Sequence, residues 1–252
     1  MLKPVHALLF LTCFYFLSVN HSAFAQVLNN SAQGVEPDTS VVIVKESEGG
    51  ASIGVKNPAP YPVLLYSSLV NVPEDTAPLL IIVPPIIRVE PGESQLVRFI
   101  LDSKEPLRTQ RFKRVIFEGL PPKNKTGDNQ ISIGTRQNLP VLIHPKGLAL
   151  DREPWKHLQW SLQNDQLKVS NDSPYVVRLA QSVQLMPSAE SVELPRTYIL
   201  AGEHLTIPIK ANAARPTAVR LFPATVYGYL TKHYDAPLIA QPKLQPKAQG
   251  KP

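Results

Sequence analysis

The chain has 252 residues, 26 of them Pro, with 43% hydrophobic and 18% charged residues and a net charge of +6. A proline share about twice the usual ~5% interrupts any extended helical pattern, which excludes a helical protein, and the low charge with ample apolar material excludes a disordered chain. A single cysteine, Cys13, excludes a disulfide framework and Cys-ligated zinc or iron–sulfur sites, and the positive charge permits acidic partners without specifying one.

Residues 1–25 read as a signal peptide. Lys3 gives a basic start, Ala7–Val19 an apolar run, and Ala23-Phe24-Ala25 the small-x-small pattern for cleavage before Gln26. The run is too short for a comfortable bilayer span, and no later stretch approaches the roughly 18 apolar residues of one, so stable membrane insertion is not expected. Cys13 leaves with the signal, and a thiol-free exported chain fits the periplasm of a Gram-negative cell. Residues 26–37 form a polar leader.

Short β-type runs follow, parted by Pro and Gly. Val41–Val44, Ala51–Val55, Val63–Leu69, Leu79–Val83, Gln95–Leu101, Arg111–Phe117, Ile131–Thr135 and Leu139–Ile143 read as strands of a first sandwich domain over 38–147. Trp160–Leu162, Gln166–Ser170, Tyr175–Gln184, Thr206–Ile209, Thr217–Phe222 and Val226–Leu230 build a second over 148–240. Residues 241–252 are a polar tail rich in Pro and Lys, with the composition of a disordered segment. One internal echo ties the halves together: Asn57-x-x-Pro60-Tyr61 and Asn171-x-x-Pro174-Tyr175 each end a β run at Asn and begin the next at Tyr.

Nothing in the pattern supplies catalysis. His144, His157, His204 and His233 lack metal-ligand spacing, and no nucleophile elbow or phosphate-cradling glycine loop occurs, so neither enzyme activity nor a metal or cofactor is expected. Glu90 and Glu93 read as solvated turn carboxylates. The cluster Arg108, Arg111, Lys113 and Arg114 lacks interleaved stacking aromatics and reads as a solvated or partner-facing basic strand, with no nucleic-acid partner expected. Trp155 and Trp160 fit a sandwich core better than a sugar platform.

Pro84-Pro85-Ile86-Ile87-Arg88-Val89-Glu90-Pro91-Gly92 followed by Gln95–Arg98 resembles the block T-P-P-hydrophobic-x-R-hydrophobic-x-P-G … hydrophobic-R of the PapD-like periplasmic pilus-assembly chaperones. The order of Asn57–Tyr61, Phe117–Pro122, Pro140–Pro145 and Asn171–Tyr175 is similar too, so the resemblance runs from about Thr39 to Ala240. It implies an all-β fold of two immunoglobulin-like sandwiches in an L or boomerang arrangement. It also implies a chaperone that caps fimbrial or pilus subunits and delivers them to an outer-membrane usher, needing no nucleotide or metal. In that mechanism the last strand of the first domain fills an apolar groove in the subunit by β-strand addition. Ile131, Ile133 and Thr135 are the matching positions. From spacing alone these residues fit inward core packing equally well; the resemblance favours donation.

The departures are specific. The family's cleft Arg falls at Ser40 or Val41, and its donor-strand Lys falls at Pro140, so the two cations implied to grip the subunit's terminal carboxylate are both absent. Arg136 is the substitute candidate and Lys45 a weaker one, although a solvent-facing Arg136 fits as well. An interdomain ion pair of the family becomes Gln110 with His144. Conserving the pattern's frame are Pro84, Pro85, Arg88, Pro91, Arg98, Asn57, Tyr61, Asn171, Pro174 and Tyr175. The other reading, a structural pilin or adhesin of sandwich domains, expects a C-terminal apolar strand with a penultimate aromatic residue, whereas this chain ends Ala248-Gln249-Gly250-Lys251-Pro252. An exposed donor strand also invites self-association of the free protein.

Overall fold

The computed structural model describes residues 34–122, 135–163, 165–209, 216–225, 227–229 and 231–239. Residues 1–25, read above as a signal peptide, the tail over 241–252, and Ile131 and Ile133 lie outside the described residues.

The first domain contains β1 (Glu36–Pro37), β2 (Val42–Lys45), β3 (Gly50–Lys56), β4 (Val63–Asn71), β5 (Leu80–Val83), β6 (Ile86–Val89), β7 (Ser94–Leu101), β8 (Arg111–Leu120) and β9 (Arg136–His144). These run in one hydrogen-bonded path, β5-β7-β3-β2-β9-β8-β4-β6, with β1 on β3. All pairs are antiparallel except β2 with β9, whose parallel register sets Val42 against Val141. Residues of alternate parity turn inward: Ile53 and Val55, Val97 and Phe99, Val115 and Phe117, and Val141 and Ile143 share one core. That is how a strand with period 2 buries one face. The end of the polar leader is not a free segment, because Glu36 and Pro37 pair with Lys56 and Val55.

The second domain contains β10 (Gln159–Gln163), β11 (Gln166–Asn171), β12 (Val177–Arg178), β13 (Ser182–Met186), β14 (Glu190–Glu193), β15 (Tyr198–Ile199), β16 (Glu203–Pro208), β17 (Ala218–Leu221) and β18 (Tyr234–Pro237). They form sheets β10-β11-β16, β12-β15 and β14-β13-β17-β18 around a core that includes Trp155, Trp160, Leu185 and Leu221. Both tryptophans are therefore core residues. The run Tyr175–Gln184 is two strands instead of one, because Leu179–Gln181 leave the sheet and bond sideways, Ala180 N–H to Phe222 O at 2.8 Å and Leu194 N–H to Gln181 O at 2.7 Å. Around Gly228 (φ +91°) the chain turns, with Gly228 N–H donating to Thr225 O at 2.9 Å, so residues 227–229 of the strand expected over Val226–Leu230 are not strand, while Val226 and Leu230 themselves lie outside the described residues. Among the described residues no helix is long and apolar enough to cross a membrane.

Candidate functional site

The two Asn-x-x-Pro-Tyr segments do the same work in each domain. Asn57, 1% exposed, donates its amide Nδ2 to the carbonyls of Tyr61, Val89 and Glu90 at 2.9–3.2 Å, and its Oδ1 accepts from Ala59 N–H at 3.1 Å. Asn171, 0% exposed, donates to the carbonyls of Tyr175, Ile199 and Leu200 and accepts from Ser173 N–H. A neutral side chain with two donor hydrogens and one carbonyl is what such a set of backbone groups requires, and a carboxylate could not donate. Gly92 (φ +75°) and Gly202 (φ +72°) complete the parallel: each donates its N–H to the carbonyl of the buried Asn, at 2.8 and 2.7 Å. Their left-handed backbone favours glycine.

The second segment also carries the contact between the sandwiches. Gln110, just before β8, donates its N–H to Pro174 O at 2.8 Å, while its side-chain Oε1 accepts from Val176 N–H at 2.8 Å. The same amide places Nε2 3.0 Å from His144 Nδ1, and His144 Nε2 lies 2.9 Å from Leu148 O. Since the amide can only donate and the carbonyl only accept, His144 holds its proton on Nε2. Gln110 and His144 are thus brought together, and Gln110 is the member that crosses to the second domain. Beside them Phe112, Val72, Leu142, Val176 and Tyr198 form a separate buried cluster, with the Phe112 and Tyr198 rings 4.6 Å apart. Tyr198 OH donates to Glu74 at 2.8 Å, and Arg196 lies over the Tyr198 ring and pairs with Glu74 and Glu203. Burial first, then Glu74, pushes the Tyr198 phenol up to about 12.

The basic strand is only partly solvated. Lys113, 2% exposed, ends 2.7 Å from a carboxylate oxygen of Asp75, which is 4% exposed and also takes Arg111. Burial alone would raise the Asp75 carboxyl; the two cations outweigh it and hold the group below the ordinary carboxylate range. Lys113 is drawn below its usual range by burial, against the opposing pull of Asp75. The parity of β8 explains the correction: Val115 and Phe117 face the core, so Lys113 must as well, and its ammonium needs a partner. Asp75, Glu74, Arg196 and Tyr198 were not singled out in the sequence. The parity of Lys113 was the one available signal, and it called for a buried carboxylate.

The remaining predicted residues separate into two groups. Pro84 and Pro85 join β5 to β6, where Pro85 O accepts from Ser67 N–H at 2.8 Å; Arg88 pairs with Glu90 at 2.7 Å on the surface; Pro91 begins the turn at Gly92; and Arg98 is an outward residue of β7. Arg136 and Lys45 are exposed and internally paired, Arg136 with Glu118 at 2.8 Å and Lys45 with Glu48 at 2.8 Å. Thr135 directly precedes β9, and the buried residues Leu139, Val141 and Ile143 share its odd parity. Ile131 and Ile133 have that parity too. Among the described residues no group of three or more His, Cys, Asp or Glu could hold a metal ion.

Two family models match the chain: the N-terminal domain of the PapD pili and flagellar-assembly chaperones over residues 34–149, and the C-terminal domain of the PapD pili-assembly chaperones over 153–234. The uncharacterized fimbrial chaperone YhcA of Escherichia coli (strain K12) is 41% identical over 208 residues, covering 82% of this chain and 92% of that protein. Among solved structures, that of the Salmonella enterica SafA pilin in complex with the SafB chaperone matches with a TM-score of 0.67 at 20% identity, over 81% of this chain and 96% of the matched one. The E. coli chaperone DraB matches with a TM-score of 0.67 at 18% identity, over 81% of this chain and 98% of its own. At those identities the structural matches speak to the two-domain fold.

Proposed function

The chain belongs to the PapD family of pili-assembly chaperones and serves as a chaperone in pilus assembly, a non-enzymatic role in its family; from that premise we propose that it captures fimbrial subunits by donating the strand that carries Ile131, Ile133 and Thr135. The supporting observation is phase. The residues of β9 that face the first-domain core are Leu139, Val141 and Ile143, and the alternating residues before the strand continue the same odd series. The edge of β9 is also taken in part only: β2 pairs with Val141–His144, and among the described residues no strand pairs with Arg136–Pro140 on that side.

A subunit with an open groove can receive those side chains while its main chain completes the sheet. Burying two isoleucines contributes on the order of 1.5–3 kcal/mol each. The SafA–SafB complex supplies the analogy for the partner, a pilin held by its chaperone. Residues 1–25 direct the chain to the periplasm, where the family acts, and delivery to an outer-membrane usher follows capture. Co-expression with the subunit encoded beside the gene tests the reading. A stable one-to-one complex that protects the subunit from proteolysis is expected; failure to recover any complex, with this chain itself found in fibres, would overturn it.

A further inference from the structure

His144 ends β9 in the first domain and acts on the second through one amide. Gln110 is 5% exposed and uses both ends of its side chain: Nε2 lies 3.0 Å from His144 Nδ1, and Oε1 accepts from Val176 N–H of the second domain at 2.8 Å. His144 Nε2 lies 2.9 Å from Leu148 O, in the turn that leads to the second domain. This chain of donors and acceptors runs one way only. A carbonyl cannot donate, so Nε2 keeps the ring proton, Nδ1 accepts, and the amide oxygen is fixed toward Val176. A second proton has no place in it. On Nδ1 it would set two N–H groups against each other at 3.0 Å, and turning the amide over to offer its oxygen to the imidazolium would set Nε2 against Val176 N–H. The first arrangement releases Gln110 from the strand that holds it, and the second breaks its bond across to the other domain.

The charged neighbours offer no compensation. Opposite His144 on β2 stands Lys45, whose ammonium is held by Glu48 at 2.8 Å. Glu46 accepts the N–H groups of Leu107 and Lys146 at 3.0 and 2.7 Å, and Lys146 itself is exposed. On β8 Arg111 is paired with Asp75. From the second domain Tyr175 donates its hydroxyl to Ala149 O at 2.9 Å and stacks on His157, which lies 2.7 Å from Asp151. Among the described residues the histidines set against carboxylates are His157 and His204, so a proton arriving at His144 meets donors instead. We infer that His144 makes the joint between the two sandwiches proton-sensitive: docked while the imidazole is neutral, loosened when Nδ1 takes up a proton. The window is the ordinary histidine range, about pH 5–7, with docking complete above it and weakened as pH falls through it. One buried donor left unpaired lowers the ratio of docked to loosened forms about tenfold. The Gln110 N–H bond to Pro174 O and the Tyr198 bond to Glu74 survive, so the domains part at one corner and stay joined at the other. The switch stands apart from the donor-strand reading, because it uses no residue ahead of β9.

The test measures the distance between one label in each domain. Cys13 is the only cysteine of the chain, so once residues 1–25 are removed, Lys104→Cys and Ser191→Cys at two exposed positions give a unique labelled pair. The distance distribution is read at about pH 7.5 and about pH 5.5, either side of the histidine range. Wild type should show one docked population at the higher pH and a looser one, grown about tenfold, at the lower. His144→Asn keeps an acceptor for Gln110 and takes no proton, so its distribution should be the same at both. Gln110→Glu still accepts from Val176 N–H and gives the imidazolium a carboxylate, so it should dock more tightly in acid, the reverse of wild type. A wild-type distribution unchanged between the two conditions overturns the inference. So does an acid response that persists in His144→Asn, which would assign it to His157, His204 or His233, and so does a Gln110→Glu protein that loosens in acid as wild type does.

Discussion

Replacing Asp75 by Asn keeps the shape of the side chain and removes its charge, and it isolates the buried ionic cluster of Asp75, Lys113 and Arg111 in the first domain. Lys113, 2% exposed, then loses the carboxylate 2.7 Å from its ammonium, and Arg111 loses its partner in the same step. Breaking a buried pair from one side leaves an uncompensated charge and costs about 3–5 kcal/mol, a large part of the ~5–15 kcal/mol that holds a typical domain folded. With a urea dependence of about 1.5–2 kcal/mol/M, the first-domain unfolding midpoint should fall by roughly 1.5–3 M. Adding Lys113→Met should recover at least half of that loss, since an apolar residue in place of a buried ion is tolerated. The acid limb supplies an independent check. Asp75 is held below its ordinary 3.8, so its contribution is complete above that pH and is lost as pH falls through the lower folded-state value; Asp75→Asn should flatten that limb. An Asp75→Asn protein within about 1 kcal/mol of wild type would refute the reasoning.

Other outcomes follow from the same contacts. Asn171→Ala strands three backbone carbonyls and should destabilise the second domain by on the order of 3 kcal/mol, and Asn171→Asp should fail to rescue it because a carboxylate cannot donate; urea unfolding of both variants checks this. Tyr198, pushed up to about 12 from 10.0, stabilises the fold fully below pH 10.0 and progressively less as pH rises toward its folded value. Tyr198→Phe should cost about 1 kcal/mol at neutral pH and remove that alkaline loss, as read by thermal melts across pH.

The strands with clean alternation were legible because one buried face imposes period 2: β3, β7 and the second half of β9 are visible in their Val, Ile and Phe. So was the duplication, since a buried Asn caging backbone groups leaves its spacing to the following Tyr in both domains. The two-residue strands β1, β12 and β15 were not, because strands so short have no period and are fixed by their partners. Lys113 was placed outside by its charge although its parity pointed inward. Arg178 was hidden within what read as a continuous run, because β12 is only two residues long and is fixed by its partner β15. Composition shows which side chains are costly to bury, but only the docking of the two sandwiches sets Tyr198 against Phe112 and Glu74.

The central claim is capture by strand donation, and its most direct test is an aspartate scan of residues 131–135 with recovery of co-expressed subunit as the readout. A charge placed in an apolar groove is strongly unfavourable, while one on the opposite face of the same strand remains in water. Asp at Ile131 or Ile133 should abolish recovery of the subunit, Asp at Ser132 should leave it near the wild-type level, and all three free proteins should melt as wild type does. Recovery lost or retained without regard to parity, or unfolding confined to the isoleucine variants, would contradict donation and return these side chains to the core.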